Sequence, residues 1–157
     1  LRRTPYLRCM ARRLASAGRV LVLGLGGGVL PAALLDAGAR QVVVLERSRE
    51  VLDFARVHFG AGAYGDRLQL RCADARGLAA AGALGGERGF DGCAIDLWKG
   101  HSQTLPDFLL DPGFHGALRS ALAPGARVVQ NALAHSGGVV PAGRRALAAR
   151  ACGAASP

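Results

Sequence analysis

Four glycines interrupt an apolar run near the start of the chain, in the stretch VLVLGLGGGVLP at residues 20–31. Glycine has no side chain, so the backbone at such a turn can lie close to a ligand. The residues that follow predict a helix, whose free N–H groups and positive dipole end would face that ligand. Gly24, Gly26 and Gly28 are therefore candidate binding residues. A tight strand-to-helix connection without a ligand is the alternative interpretation.

The spacing of these glycines departs from the dinucleotide-binding pattern, which places glycine at its first, third and sixth positions. Here the sixth position is Val29, and the fifth is Gly28. The departure weakens the hypothesis of a nicotinamide-dependent oxidoreductase.

Acidic residues follow three later strand-like runs. Glu46 comes 22 residues after Gly24, where a carboxylate can accept both ribose hydroxyls of an adenosine group. Pairing of Glu46 with Arg47 or Arg49 at the surface is the alternative.

Asp74 and Asp96 occupy comparable positions. Asp74 could accept a bond from the exocyclic amine of adenine, or cap the next helix, or do both. Asp96 lies close to Trp98 in sequence and is the candidate catalytic residue that faces the substrate. An ion pair between Asp96 and Lys99 is an equally weighted alternative.

These acids and glycines need a scaffold that brings strand ends together. Short apolar runs alternate with helical periodicity, which predicts parallel strands joined by right-handed crossovers. The fold class is therefore α/β, a doubly wound, mostly parallel sheet, and such sheets bind ligands beyond the carboxyl ends of their strands. The predicted strands cover 20–23, 41–45, 68–72, 90–97 and 127–131; the helices cover 29–37, 48–59, 75–81, 118–123 and 142–151; the loops cover 60–66 and 82–89.

The length of 157 residues fits one domain with a sizeable core. Residues 1–18 form a basic lead-in, residues 19–133 the cofactor-binding core, and residues 134–157 a C-terminal helix and tail.

The charge is strongly positive, with 20 basic against 11 acidic residues and a net charge of +9. The first 35 residues contain no acid, which is typical of a solvated basic helix or of the remnant of an organelle transit peptide. A positive field attracts nucleic acid, acidic proteins or anionic lipid. No apolar run reaches the roughly 18 residues that a membrane-spanning helix needs.

The four cysteines, at positions 9, 72, 93 and 152, are far apart and form no C-x-x-C pair. This spacing argues against a zinc site and a redox dithiol, and the four histidines have no metal-ligand spacing, so we predict no metal. We expect buried free thiols and a reducing intracellular compartment, either cytoplasm or organelle matrix.

Taken together, these segments resemble the S-adenosylmethionine-dependent methyltransferase superfamily, and within it the spermidine synthase-like branch. The similarity covers about residues 5 to 133, including the lead-in YLRCM at 6–10. It is carried by VLVLGLGGGVLP (20–31), VVVLERSREVLDFARVHF (42–59), DRLQLRCADAR (66–76), FDGCAIDL (90–97) and FHGALRSALAPGARVVQNAL (114–133).

The resemblance implies S-adenosylmethionine as the cofactor and a Rossmann-like methyltransferase fold. It assigns the glycines to the methionine end, the acid after the second strand to the ribose, and the Asp-Ala pair after the third strand to the adenine. These residues are Gly24, Gly26, Gly28, Glu46, Asp74 and Ala75. The C-terminal antiparallel hairpin of such sheets is expected to be missing or abbreviated here.

One departure from the spermidine synthase-like pattern bears on the reaction. Aminopropyltransferases carry an Asp-x-x-Asp signature, which reads Asp96-Leu-Trp-Lys99 in this chain. A lysine cannot act as the second carboxylate and is poorly suited to receive a polyamine, so the decarboxylated cofactor is the less favoured one.

Two hypotheses follow from the sequence. The first is a transferase that methylates a protein or RNA acceptor, with Asp96 orienting the acceptor. The second is an inactive, methyltransferase-like structural subunit that joins a large assembly, such as an organellar RNA-containing one, through its basic surface. An open cavity between Gly26 and Glu46 would favour the first, because a purely structural domain has no reason to keep one.

Overall fold

Five strands form one parallel sheet in the order β3-β2-β1-β4-β5. The structure, a computed structural model, describes residues 5–79, 84–99 and 104–131. The strands are β1 (Arg19–Leu23), β2 (Gln41–Glu46), β3 (Leu68–Cys72), β4 (Phe90–Ile95) and β5 (Leu122–Gln130). Because the chain moves outward from β1 to β3 and then returns to β4, the strand order reverses between β1 and β4. This topology confirms the predicted doubly wound α/β fold.

Helices cover both faces of the sheet because the central strands are apolar on both sides. One face packs against α1 (Pro5–Leu14), α2 (Val29–Asp36) and α3 (Arg49–His58). The other face packs against α4 (Pro112–Ala121) and against the 3₁₀ helices Ala75–Ala79 and Asp107–Leu110.

Two helix boundaries follow the sequence prediction closely. The side chain of Ser48 accepts a hydrogen bond from the Val51 N–H at 3.2 Å and so caps α3. Gly38 lies just beyond α2 with a φ of +106°, the left-handed conformation that favours glycine after a helix.

Several element predictions require correction. Residues 60–66 were expected to be a loop but contain the 3₁₀ helix Ala61–Arg67. Of the helix expected over 75–81, the described residues form the 3₁₀ helix Ala75–Ala79 rather than an α-helix, and the last two positions lie outside the described residues. β4 ends at Ile95 rather than at residue 97, and residues 96–98 carry no regular structure.

A further correction concerns α4, which begins at Pro112 rather than at residue 118. The side chain of Asp111 accepts a hydrogen bond from the Gly113 N–H at 2.9 Å, and Pro112 suits the first helical position. The helix then ends at Ala121, before the predicted stop. β5 starts at Leu122 rather than at 127, with an irregular register where it passes Gly125.

Within the described part of the basic lead-in, Pro5–Leu14 form the helix α1. Leu7, Met10 and Leu14 of α1 are buried in the core, while the arginines of α1 are exposed. The helix predicted at 142–151 and the expected loss of the C-terminal hairpin lie outside the described residues.

The cysteine prediction is partly wrong. Cys93 is buried on β4, and burial raises the pKa of its thiol, but Cys9 and Cys72 are exposed. Within the described part of the chain, no helix is long and apolar enough to cross a membrane, and no cluster of side chains is arranged to hold a metal ion.

Candidate functional site

A cleft opens at the carboxyl ends of the parallel strands, where the strand order reverses. Its cavity volume is about 410 Å³, within the range of about 300 to 1,000 Å³ that is typical of ligand pockets. Segments that follow the first four strands line it, together with the start of the 3₁₀ helix before α4. The lining side chains and backbone belong to residues 24, 26, 45–47, 73–76, 96–99 and 106–108.

Gly24 holds two of these segments against each other. A side-chain Cβ at this position would lie 2.4 Å from the backbone oxygen of Asp96, and the φ of +92° also favours glycine. Its N–H donates to the Leu45 carbonyl oxygen at 2.9 Å. Gly24 therefore permits the close approach that places the end of β1 beside Asp96.

Gly26 has a different environment. Its φ is +51°, and a Cβ added there would meet no atom within 4 Å. The residue lines the cavity with open space above it, as a position against which a ligand lies would.

Gly28 does not line the cavity. It adopts a φ of +69° immediately before α2, and an added Cβ would lie 3.2 Å from the Phe59 ring. The structure therefore brings Gly24 and Gly26 into the cleft, whereas Gly28 lets Phe59 pack over the start of α2.

Glu46 is held in the cleft by two neutral donors. The Leu25 N–H donates to Oε2 at 3.0 Å, and the Ser48 N–H donates to Oε1 at 2.9 Å. No ion pair joins Glu46 to Arg47 or Arg49, all of which are described. Each carboxylate oxygen has a second lone pair, so Glu46 can still accept hydrogen bonds from a ligand.

Asp74 directly precedes the 3₁₀ helix Ala75–Ala79, which follows β3. Its Oδ1 accepts the Arg76 N–H at 2.9 Å, and its Oδ2 pairs with the Arg76 guanidinium at 3.0 Å. Burial acts to raise the pKa of Asp74, but the hydrogen bonds and positive charge of Arg76 outweigh it, and the pKa lies below its ordinary value. Asp74 thus has the predicted capping role, and with the adjacent, buried Ala75 it also lines the cavity.

Asp96 is the deeply placed acid of the cleft. Asn131 Nδ2 donates to Asp96 Oδ1 at 2.9 Å. Burial raises the pKa of Asp96, and hydrogen bonding by Asn131 and Trp98 only partly opposes that effect. The alternative pairing with Lys99 is not observed, since Lys99 Nζ lies 2.7 Å from Asp107 Oδ2 instead.

The fold is shared with solved structures of methyltransferases and of a spermidine synthase. Human methyltransferase-like protein 13 in complex with SAH superposes with a TM-score of 0.68 at 23% identity, over 85% of this chain and 67% of that chain. The glycopeptide N-methyltransferase MtfA complexed with S-adenosyl-L-methionine has a TM-score of 0.62 at 28% identity, over 83% and 54%. Spermidine synthase from Thermotoga maritima has a TM-score of 0.55 at 21% identity, over 74% and 40%. The chain has the methyltransferase fold.

No protein-family model matches the sequence, and a search of curated proteins found no match. The chain spans 67% of the human protein and about half or less of the other two structures. The comparisons thus confirm the predicted fold and superfamily resemblance.

Two residues of this methyltransferase fold were not singled out by the sequence reasoning. Asn131, only 4% exposed, follows β5 and holds the carboxylate of Asp96. The same strand-end rule that identified the acids would have identified it. Tyr6 on α1 is half-buried, and the pKa of its phenol is raised by burial and, to a smaller extent, by the negative charge of Asp96, so the two groups are within electrostatic reach of each other. Only its place in the lead-in motif hinted at that proximity.

Proposed function

We propose that this chain is an S-adenosylmethionine-dependent methyltransferase. The fold, the glycine turn and the acids at successive strand ends support the proposal. Solved structures with the same fold contain SAH or S-adenosyl-L-methionine.

The observation that carries the proposal is the open cavity between Gly26 and Glu46. A cavity of about 410 Å³ lies there, and the space above Gly26 is unfilled. Protein interiors are close-packed, and an unused pocket would gain stability from larger side chains. The open cavity therefore favours ligand binding over a purely structural role.

The lining residues fit the cofactor by their chemistry. Glu46, held by backbone N–H groups, would accept the ribose hydroxyls, and Asp74 with Ala75 would lie at the adenine. Gly24 and Gly26 would lie at the methionine end, where the absence of side chains lets the backbone approach the cofactor closely.

Asp96 is suited to act on the acceptor. When bound, S-adenosylmethionine supplies an electrophilic methyl group, which passes to the acceptor's lone pair as the carbon–sulfur bond breaks and the sulfonium becomes a neutral thioether. Because its pKa is raised, the Asp96 carboxylate is a stronger base than an exposed aspartate and can take the proton that an N–H or O–H acceptor loses. Its bond to Asn131 fixes its orientation.

Aminopropyl transfer is less favoured. The position of the second signature acid holds Lys99, and its ammonium group pairs with Asp107 at the cleft lining. The signature therefore provides one carboxylate for a polyamine, that of Asp96, instead of two.

We further propose that the acceptor is a protein or an RNA, and that the chain works in a reducing compartment. Cys9, Cys72 and Cys93 are free thiols, which supports such a compartment. An inactive subunit of a large assembly is the competing function, and the net charge of +9 favours it.

Calorimetric titration with S-adenosylmethionine, its decarboxylated form and NAD tests the proposal, alongside Glu46→Ala. We expect micromolar binding of S-adenosylmethionine that Glu46→Ala weakens by about tenfold or more, since hydrogen bonds to a charged group contribute about 1.5–3 kcal/mol each. Asp66→Ala, an exposed acid that does not line the cleft, is the control and should bind normally. A preference for the decarboxylated form would assign aminopropyl transfer. Absence of binding by the folded chain would leave the structural-subunit hypothesis.

A further inference from the structure

One surface of the molecule carries several arginines and, among the residues that line its two concavities, a single acid, Asp91. We call this surface the basic strip. The exposed face of α1 contributes three arginines, and the turn before β2 and the strand β5 contribute one each. Its members are Arg8, Arg12, Arg13, Arg40 and Arg127.

The strip is continuous through Arg13. One surface concavity is lined by Arg8, Arg12 and Arg13, and a second is lined by Arg13, Arg40 and Arg127. Arg127 also donates to the backbone oxygen of Arg13 at 3.4 Å. The two concavities therefore share Arg13, and the five arginines line or border one connected surface.

Little negative charge opposes the strip. Within the described residues, Arg8, Arg12 and Arg40 form no ion pair. Asp91 is the acid that lines the second concavity, and its Oδ2 accepts the Arg19 N–H at 2.8 Å. Favourable interaction with the helix dipole explains arginines in the last turn of α1, but not those at positions 8, 40 and 127.

One end of the basic strip lies near the cleft. Tyr6, in the first turn of α1, lies within electrostatic reach of Asp96. The opposite end of the helix leads to Gly18, just before β1 and beside the second concavity. Over its ten residues α1 is about 15 Å long, so the strip extends from the neighbourhood of the cleft towards the amino-terminal edge of the sheet.

The chemistry of the strip fits phosphate better than a protein partner. The planar guanidinium binds phosphate oxygens bidentately. Protein interfaces have an apolar or aromatic centre, and the large exposed hydrophobic residues of the described chain lie elsewhere. Those residues are Val29, Phe54, Val57, Phe59 and Leu110.

The cleft also contains aromatic side chains that could stack on a base. Trp98 and Phe108 line it, and both are half-buried. Unpaired RNA bases stack on such side chains, with about 1–3 kcal/mol for each base. We propose that the basic strip binds the phosphate backbone of single-stranded RNA and presents an unstacked base to the cleft as the methyl acceptor. The acceptor role, but not the docking, rests on the proposed function.

Fluorescence anisotropy with a labelled single-stranded RNA of mixed sequence, about 20 nucleotides long, tests the docking. The strip variant combines Arg8→Gln, Arg12→Gln and Arg40→Gln. The control variant combines Arg49→Gln, Arg56→Gln and Arg119→Gln, which are exposed arginines of α3 and α4. Both variants lower the net charge equally, so they separate local contact from overall charge.

We expect the strip variant to lose at least about tenfold in affinity and to reduce the salt slope of log K by about 2, the value for three lost single-strand phosphate contacts. The control variant should lose much less. Equal losses in the two variants would overturn the proposal. Equally strong, strip-dependent binding of polyglutamate, or of vesicles containing phosphatidylserine, would overturn the assignment to RNA.

Calorimetry with S-adenosylmethionine on the same variants separates the two proposals. The strip variant should bind the cofactor normally. Strip-dependent RNA binding by a wild-type chain that does not bind the cofactor would refute the methyltransferase function and keep the docking. Transfer of tritiated methyl from the cofactor to protein but not to RNA would overturn the acceptor role.

Discussion

Two partly buried charged clusters in this molecule are stabilised in opposite ways. In the first, Glu87 pairs with both Arg19 and Arg71, so acid and base neutralise each other. In the second, Glu46 and Asp96 accept hydrogen bonds from groups without charge. Neutral donors fix the position of a carboxylate while leaving its negative charge available to a ligand.

The remaining contacts of the first cluster are also internal. The Arg19 guanidinium donates to Gln41 Oε1 at 2.7 Å and lies 4.4 Å from the centre of the Phe90 ring. Arg71 donates to the Leu84 carbonyl oxygen at 2.9 Å. These contacts tie the segment before β4 to the sheet, so we assign the cluster to stability and the cleft acids to binding.

The largest expected difference concerns two glycines of the cleft. Gly24→Ala should destabilise the fold by at least about 3 kcal/mol and abolish cofactor binding, because its Cβ would lie 2.4 Å from the Asp96 oxygen at a strained φ. Gly26→Ala should cost only about 1 kcal/mol, since its Cβ meets no atom. Chemical denaturation and cofactor titration of both variants measure this. Equal costs would contradict the close approach at Gly24.

Asp96→Asn should separate stability from activity. Methyl transfer should fall by about a hundredfold or more if Asp96 takes the acceptor's proton. Label transfer from tritiated S-adenosylmethionine measures the loss, and cofactor affinity is the control, which should change little.

The same variant should be more stable than wild type at neutral pH. Because the pKa of Asp96 is raised in the folded chain, the wild type loses stability as pH rises from the ordinary aspartate pKa through the raised value. The advantage of Asp96→Asn should therefore be absent below the ordinary pKa and constant above the raised one. Thermal melting of both proteins across this pH range measures the effect. A difference in Tm between Asp96→Asn and wild type that is the same at every pH would argue against a desolvated carboxylate.

Asn131→Leu should reveal how much the neutral donor contributes. The hydrogen bond from Asn131 stabilises the charged form of Asp96, so its loss should raise the pKa of Asp96 further. The acidic limb of the plot of activity against pH should then move to higher pH. The free energy of unfolding at pH 7 should fall by about 1–3 kcal/mol.

A double-mutant cycle with Asp96→Asn provides the control. If Asn131 acts through the Asp96 charge, the cost of Asn131→Leu should shrink in the Asp96→Asn background. An unchanged cost would assign Asn131 to packing alone.

The sequence predicted the sheet well because its signals are local. The apolar runs of β1 and β2 and the cap at Ser48 depend on neighbouring residues, and they appear where expected. The strand-end rule likewise brought Gly24, Glu46 and Asp96 into one cleft.

Most of what the sequence did not predict depends on contacts between distant segments. The early start of α4 is an exception, because it depends on the local Asp111 cap, which a prediction centred on the apolar run from Leu118 overlooked. The bond from Asn131 to Asp96 joins residues 35 positions apart. The packing of Phe59 against Gly28 is likewise tertiary, and it explains why one of three predicted binding glycines lies outside the cleft.

Glu87→Gln should give the smallest effect and the sharpest test of the two-cluster comparison. The change keeps the shape of the side chain but removes the charge that two arginines share, and the side chains are only about a quarter to a third exposed. A hydrogen bond to a charged group contributes about 1.5–3 kcal/mol when buried, and partial exposure reduces this to about 1 kcal/mol. Denaturation at low and high salt measures the loss, which should shrink in high salt.

Affinity for S-adenosylmethionine should not change, because Glu87 does not line the cleft. A drop in affinity as large as that of Glu46→Ala would show that the two clusters are coupled, and the division between a stabilising cluster and a binding cluster would then fail.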